Sequence, residues 1–376
     1  MSQVKVDSIV DSSGGNNATI NTYTPTLSNM PGYNRIINGD MRIDQRNAGA
    51  AVTASGSYPV DRFSVFNSTD GAFSSSRSTT APTGFTNSLY FTTTTADASL
   101  AATQFSSALQ RIEGFNIADL GWGTANAKTV TLSFWTRSSL TGTFGGSLRN
   151  SDTNRSYPFT YTISSANTWE YKTVTIPGDT TGTWLTDNGL GVSVTFGLGV
   201  GSTYSGTAGA WAAANYLSAT GATSVIGTLN ATWYITGVQL EVGSVATPFE
   251  RRPYGTELAL CQRYFEKSVD MSSAILTNTA ATFYGNMPSS IAFGNYYLTF
   301  PFKVTKRTAP TVTTYPYTTA ANTNRFSNNV GTDYGANSAV PSGIYDSQFS
   351  IANSSGGALS VGAGVVFGSW FASAEL

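Results

Sequence analysis

The sequence predicts an all-β protein: a jelly-roll β-sandwich and a smaller C-terminal β-sandwich, joined by a short helical or extended neck and preceded by an N-terminal arm. Three observations carry this expectation. Short runs with every second residue apolar recur from Tyr33 onward, the period of a half-buried antiparallel strand. Thr, Ser, Asn and Gly fill the spaces between them, as turn-rich sheets require. Helix-like spacing occurs in one short place, after Pro253.

Residues 1–31 form the arm. Val4, Val6, Ile9 and Ile20 alternate weakly around Ser-Ser-Gly-Gly-Asn-Asn, too little apolar surface for a core of its own. Two readings stand: a floppy terminus, or an attachment strand that orders on a partner. The sandwich is assigned to 32–254. Its first strand is expected at Ile36, Ile37, Met41 and Ile43, around a turn at Asn38-Gly39-Asp40. RFSVFNS (62–68), SLYFTTTT, TVTLSFWTRSS, RSYPFTYTIS, WEYKTVTIPG, GVSVTFGLGV and TWYITGVQLEVG follow. Alternation is clearest where Val130, Leu132 and Phe134 oppose Thr129, Thr131 and Ser133. About eight to ten such strands are enough for two packed sheets. Residues 106–123 read as a long connection with a short helical turn, and 201–224 as an extended loop. Phe134, Trp135, Trp169 and Trp233 lie in or at strands and are assigned to packing.

The stretch from Ile235 to Lys267 closes the sandwich, turns a Pro-punctuated charged corner and enters the neck, 255–269. There Leu258, Cys261, Gln262 and Phe265 have helical spacing, with Thr256 as the N-cap. The C-terminal domain, 270–376, carries five or so strands, the last of them long, and a polar excursion over 318–343.

Composition excludes several functions. With 20 Lys+Arg against 21 Asp+Glu, the chain lacks the basic excess that nucleic acid or an anionic membrane would attract. It contains no histidine, which removes Ser-His-Asp and Cys-His catalysis and the usual zinc sites. Cys261 is the only cysteine, so there is no disulfide framework; without a histidine to activate it, it reads as a packing residue. Gly197-Leu198-Gly199-Val200-Gly201 is not a phosphate loop, because no Lys-Ser/Thr and no helix follow. The opening MSQVKVDSIV lacks the apolar region of a signal peptide, and no apolar run is long enough to span a membrane. Synthesis in the cytoplasm, with exit by lysis or by assembly into a particle, is the expectation.

Four segments are similar to tail fibres and other tail proteins of tailed bacteriophages. They are Asn34–Met41 (NRIINGDM) with Asp44-Gln45-Arg46; Tyr58–Phe63 (YPVDRF); Val238–Phe249 (VQLEVGSVATPF) with Glu250-Arg251-Arg252-Pro253; and Glu257–Phe265 (ELALCQRYF). The last two are the most specific because they are adjacent and in order. The terminal FASAEL also resembles endings of phage fibre domains, more weakly. Phe63 departs from the pattern, since relatives often have Trp there. The resemblance implies a virion tail-fibre protein that recognises a host-surface glycan. It further implies a homotrimer, joined through its arm to a tail or baseplate protein. A non-receptor tail, collar or decoration protein is the alternative, and a glycan-depolymerising tailspike a third. NGDM at the first strand and VQLEVG at the last also resemble carbohydrate-binding jelly rolls, some of which hold a structural calcium near those strands. Asp40 and Glu241 are the donors this implies. The competing reading is that Asp40 makes its turn and Glu241 pairs with an arginine. No cofactor is otherwise expected.

Sugar recognition needs aromatic faces flanked by amide and carboxylate groups. Two clusters fit: Trp184, Asp187 and Asn188 with Tyr204, Trp211, Asn215 and Tyr216; and Tyr315, Tyr317, Arg325, Tyr334 and Tyr345 with Asp346. The same loop aromatics would equally staple their loops to the sandwich. Glu113 with Asp119, or Asp179 with Asp187, would be the carboxylate pair of a glycosidase. Neither has a supporting motif, and no enzymatic activity is expected. Arg251 and Arg252 either bind an anionic glycan or pair with Glu241, Glu250 or Glu257 to fix the corner between domains.

Overall fold

A computed structural model describes residues 32–273, 283–287, 290–291, 296–316, 323–325, 327–328, 337–354, 359–360 and 364–376. The arm, Tyr317 and Tyr334 lie outside the described residues. Ten strands come first: β1 (Ser57–Val60), β2 (Phe63–Asn67), β3 (Ala72–Ser78), β4 (Ser88–Thr95), β5 (Phe105–Glu113), β6 (Val130–Ser138), β7 (Gly142–Arg149), β8 (Ser156–Ile163), β9 (Glu170–Ile176) and β10 (Leu190–Val200). A parallel pair, β11 (Ser205–Gly206) and β12 (Ser218–Ala219), ties the loop that follows, and β13 (Thr232–Val242) closes the sandwich. One sheet has the order β1-β2-β5-β10-β7-β8 and the other β3-β4-β13-β6-β9. Every pairing in both is antiparallel. This is the expected all-β jelly-roll sandwich.

Alternation builds the core. Val130, Leu132 and Phe134 point inward and are fully buried, as are Val192, Phe196, Trp233, Ile235 and Leu240 on the strands they face. Each such side chain contributes roughly 1.5–3 kcal/mol by leaving water. Residues 106–123, expected as a connection, are mostly strand. β5 sits inside its sheet between β2 and β10, and only Gly114–Asn116 and Ala118–Leu120 form 3₁₀ turns. Central placement explains the miss: its outward-facing Ser107 and Leu109 are buried too, so no polar face marks the period.

The segment around Asn38 is also corrected, from a strand to a pinned loop beside β13. Asn38 adopts a left-handed φ of 57°. Its amide donates to the Ile43 and Asp61 carbonyls, and its oxygen accepts from Ile43 N–H. Gly39 packs so closely that a Cβ there would lie 2.2 Å from Val238 O. The Asn-Gly pair is therefore required sterically.

Helix α1 spans Tyr254–Gln262. It begins earlier than expected, with Pro253 rather than Thr256 at the N-cap, and proline suits a helix start because no intrahelical N–H is lost there. Phe265 is not on the helix. It opens β14 (Phe265–Lys267), whose backbone pairs with β23 (Gly364–Ser373). Between them lie β15 (Phe283–Met287), β16 (Ser290–Ile291), β17 (Tyr296–Pro301), β18 (Thr311–Pro316), β19 (Ser327–Asn328), β20 (Val340–Ser342), β21 (Gln348–Ala352) and β22 (Leu359–Ser360). β23 pairs with β14, β15, β18 and β19, and β17-β21-β20 form a second sheet. Phe302, Val312, Phe349, Ile351 and Trp370 make their shared core.

Charges tie this unit to the sandwich. Glu113 accepts a two-pronged bond from Arg263 at 2.9 and 2.6 Å and another from Tyr264 Oη at 2.7 Å. Arg46 and Arg62 both reach Glu375. Glu266 and Lys306 form a buried pair. A buried pair needs close geometry to offset its desolvation, and the fork at Glu113 supplies it.

Candidate binding face

Trp233 and Ile235 of β13 are fully buried, so Tyr234 between them faces outward, with the covered Thr236 on the same side. Register then lays out the outer surface. Tyr234 lies opposite Tyr90 on β4 and Arg137 on β6, while Thr236 lies opposite Trp135, and Trp135 opposite Tyr171 on β9. The rings form two neighbouring groups on one face, Tyr90, Tyr234 and Trp169 in one and Trp135 and Tyr171 in the other. Tyr90 and Tyr234 are 4.7 Å apart between centroids, Trp169 and Tyr234 6.0 Å, and Trp135 and Tyr171 5.4 Å. Arg137 lies 5.3 Å over the Tyr234 ring. Burial raises the Tyr234 hydroxyl above the usual tyrosine range, with Tyr90 adding to the shift and Arg137 opposing it; the phenol is therefore a neutral hydrogen-bonding group.

The second group runs into a cavity of about 450 Å³ lined by Phe85, Ser133, Trp135, Tyr171, Gly237, Ala246, Thr247, Pro248, Phe249 and Arg251. Two features of β13 make it. The register slips between Thr236 and Gln239, and Gly237 takes a φ of +62°. A Cβ there would fall 2.7 Å from Phe85 and 3.2 Å from Trp135, so glycine at this bulge keeps the space open. Beyond the bulge, Gln239 and Glu241 hold the far wall. Glu241 accepts from Thr247 N–H at 2.8 Å and Thr247 Oγ1 at 2.6 Å. Gln239 donates to Glu241 and to Thr247 O, and accepts from Glu250 N–H. The QLE…ATPF segment is thus the fastening of a cavity wall. Arg251 completes that wall, lying 4.7 Å over Phe85 and 5.7 Å over Phe249.

The expected calcium donors do not fit the ion. Asp40 pairs with Arg42, and both Glu241 oxygens are taken by Thr247 and Gln239 rather than by an arginine. Among the described residues no group of three or more His, Cys, Asp and Glu side chains comes together. Calcium needs six to eight oxygens.

The residues nominated from sequence are placed as follows. Trp184 is buried, at 7% exposure. It packs edge-on against Trp122 at 4.7 Å and Trp211 at 5.4 Å, and its indole donates to Thr181 O. Trp211 also meets Trp122 and Tyr157 and donates to Pro177 O. The structure does bring these two tryptophans together, as a plug in the sandwich end, so the buried Trp184 presents no face to a sugar. Tyr204 packs edge-on to Phe105, Tyr216 covers Gly206, and Asn215 accepts from Arg149. Asp187 is exposed and caps Gly189 N–H, while Asn188 exchanges hydrogen bonds with the Arg307 backbone and side chain. Tyr315 stacks on Phe371 from β18. Arg325 is half-buried, Tyr345 is 60% exposed, and the exposed Asp346 accepts from Lys306 N–H. The carboxylates considered for hydrolysis have structural partners: Glu113 as above, Asp119 with Arg35, and Asp179 with the Arg155 fork. Arg252 pairs with Glu250 and Glu257 at the corner.

Trp135 and Trp169, assigned to packing from sequence, are instead half-exposed parts of this face. The signal was present. Phe134 and Trp233 fill the core, so their neighbours Trp135 and Tyr234 must face the other way.

No helix among the described residues is long and apolar enough to cross a membrane. No protein-family model and no curated protein matches the sequence. Among solved structures, the chain is similar to the enzymatically active domain of bacteriophage CBA120 tailspike protein 4. That match has 12% identity and a TM-score of 0.30, and covers 56% of this chain but only 22% of the tailspike chain. It is also similar to a structure described as a sugar-binding protein of Bacteroides thetaiotaomicron, with 12% identity, a TM-score of 0.32, and 56% of this chain and 100% of that one covered. A family 11 carbohydrate-binding module from Clostridium thermocellum matches at 11% identity with a TM-score of 0.27, over 52% of this chain and 98% of its own.

Proposed function

We propose that this chain is a phage tail-fibre protein whose sandwich binds a glycan of the host surface through the outer face of the β3-β4-β13-β6-β9 sheet. The observation that carries the reading is the open face of Tyr90, Tyr234, Trp169, Trp135 and Tyr171 running into a walled cavity. Half-buried rings fixed by a sheet offer flat apolar surface without an ordering cost on binding. Thr92, Ser133 and the tyrosine hydroxyls supply hydrogen-bonding groups beside them. The four sequence segments shared in kind with tail fibres support the virion setting. In this reading residues 1–31 attach to a tail or baseplate protein, and three copies associate so that weak sites act together. Asp187 and Tyr345, both exposed, are proposed as contacts outside the main face.

Host-cell adsorption of the purified protein tests the reading. Trp135→Ala with Tyr234→Ala is expected to abolish staining of host cells while the circular dichroism spectrum is kept. Wild-type protein that fails to stain host cells favours the non-receptor tail component instead. Light scattering after size exclusion is expected to give a trimer; a monomer at micromolar concentration contradicts that part.

A further inference from the structure

We infer that the glycan is acidic, with a carboxylate taken up by Arg137 and a second by Arg251; this rests on the face being the glycan site. Most arginines of the sandwich meet a carboxylate, and of those that do not, Arg77, Arg111 and Arg149 each give a hydrogen bond to a carbonyl or amide oxygen. Arg35 meets Asp119, Arg42 meets Asp40, Arg46 meets Asp61, Arg155 meets Asp179 and Arg252 meets Glu250. Arg137 is different. Among the described residues its side chain has no ion pair and no hydrogen bond, its Nε is buried without a partner, and its guanidinium lies over Tyr234. A guanidinium half-desolvated by a ring keeps its planar fork free for a carboxylate.

Arg251 repeats the arrangement at the cavity. It is exposed, lies over Phe85 and Phe249, and gives a single hydrogen bond, to Gly84 O at 2.6 Å. Among the described residues no free carboxylate lies beside either arginine. Glu241 is buried under the 244–250 loop, and Glu170 is held by Lys172 and by the Ser164 and Ser165 amides. Arg137 and the cavity-lining Ser133 lie four residues apart on β6, roughly 14 Å at about 3.4 Å per residue. Arg137 and the Ser133 end of the cavity that Arg251 lines therefore lie on either side of Trp135 along β6.

The test is calorimetric titration of the full chain with oligosaccharides of hyaluronan, polygalacturonate and polysialic acid, each beside its carboxyl-reduced neutral form. At least one acidic member is expected to bind roughly ten-fold or more tighter than its reduced form, the scale of one charge-assisted contact, and to weaken as salt is raised. Arg137→Gln and Arg251→Gln should each shrink that preference, read as the ratio of acidic to reduced affinity within each variant, and Trp135→Ala should remove binding of both forms. Equal binding of acidic and reduced forms, still lost in Trp135→Ala, overturns the acidic assignment and leaves the face intact as a glycan site. Acid-selective binding unaffected by either arginine change overturns the assignment to this face. Binding that survives Trp135→Ala in a folded variant overturns the underlying site as well. No preference for any acidic member overturns the inference.

Discussion

The two outer faces of the sandwich are built from opposite materials. Where the six-stranded sheet meets the 201–224 loop its outward residues are small: Ser107, Gly145, Ser147, Thr195 and Gly197. The 201–224 loop lies directly on them, since a Cβ on Gly145 or Gly197 would meet Ser218 Oγ at 2.3 or 2.7 Å. Leu217 and Ala219 are buried in that contact. On the five-stranded sheet large aromatic residues stand among outward Thr and Ser, and their rings stay half-exposed. Small residues therefore mark the roofed face, and large ones the face left for a partner. Loop aromatics such as Trp211 and Tyr204 serve the closed end and the roof, whereas strand aromatics such as Trp135 make the open surface.

Substitutions on either side can break this contrast. The largest stability effect is expected for Trp184→Ala, which empties a site packed by Trp122 and Trp211. A loss of about 3–5 kcal/mol in denaturant unfolding is expected, with glycan affinity kept by the folded fraction. Trp135→Ala should do the reverse: about 2 kcal/mol of binding free energy lost, as for a central aromatic anchor, with stability changed by less than about 1 kcal/mol. If the folded Trp184 variant loses binding and the Trp135 variant does not, the assignment of the faces is inverted.

Gly237→Val sharpens the contrast within the open face. It places a branched side chain at φ +62° against Phe85 and Trp135. The backbone cost is about 1–3 kcal/mol, and affinity for a ligand that enters the cavity should fall more than affinity for one that lies only on Tyr90 and Tyr234. Equal losses for both would separate the cavity from the site.

The smallest expected effect is a pH slope in the frame. Burial raises the Asp61 carboxyl to about 6, against the lowering effects of Arg46 and Gln45. A folded value above the unfolded one means that this contribution to stability is fully present below about pH 4. It is lost as pH rises through about 6. Asp179 works in the opposite sense. Burial raises it, but the Arg155 fork and the Thr181 bonds outweigh burial and leave it lowered, so its contribution is present at neutral pH and lost on acidification. The two slopes have opposite signs in different ranges, that of Asp61 between about pH 4 and 6 and that of Asp179 below about pH 4. Asp61→Asn should remove the Asp61 part in thermal melts between pH 4 and 7 and leave binding at the open face unchanged.

Much of the frame was legible in the residues. Val130, Leu132 and Phe134 alternate with polar neighbours, and β6 lies where they indicate. β5 was hidden because both of its faces are covered, so its period disappears. The Asn38 loop looked like a strand because Ile36, Met41 and Ile43 are core residues; a pinned loop buries them equally well. The open face was half legible. The order Phe134-Trp135 and Trp233-Tyr234 shows that one ring of each pair points outward. Which strands lie side by side, so that Tyr90, Tyr234, Trp135 and Tyr171 converge, is a property of the sheet order alone. An aromatic in a polar loop reads the same whether it meets a ligand or, like Trp211, closes a core.

Tryptophan indole N–H resonances test the central claim most directly. The chain has seven tryptophans, divided between the open face (Trp135 and Trp169), the sandwich interior and end (Trp122, Trp184, Trp211 and Trp233) and the C-terminal core (Trp370). In a ¹⁵N-tryptophan-labelled sample titrated with an oligosaccharide that binds, the Trp135 and Trp169 signals are expected to move and the other five to stay. Shifts at Trp184, Trp211 or Trp370 with Trp135 and Trp169 unmoved would contradict the account.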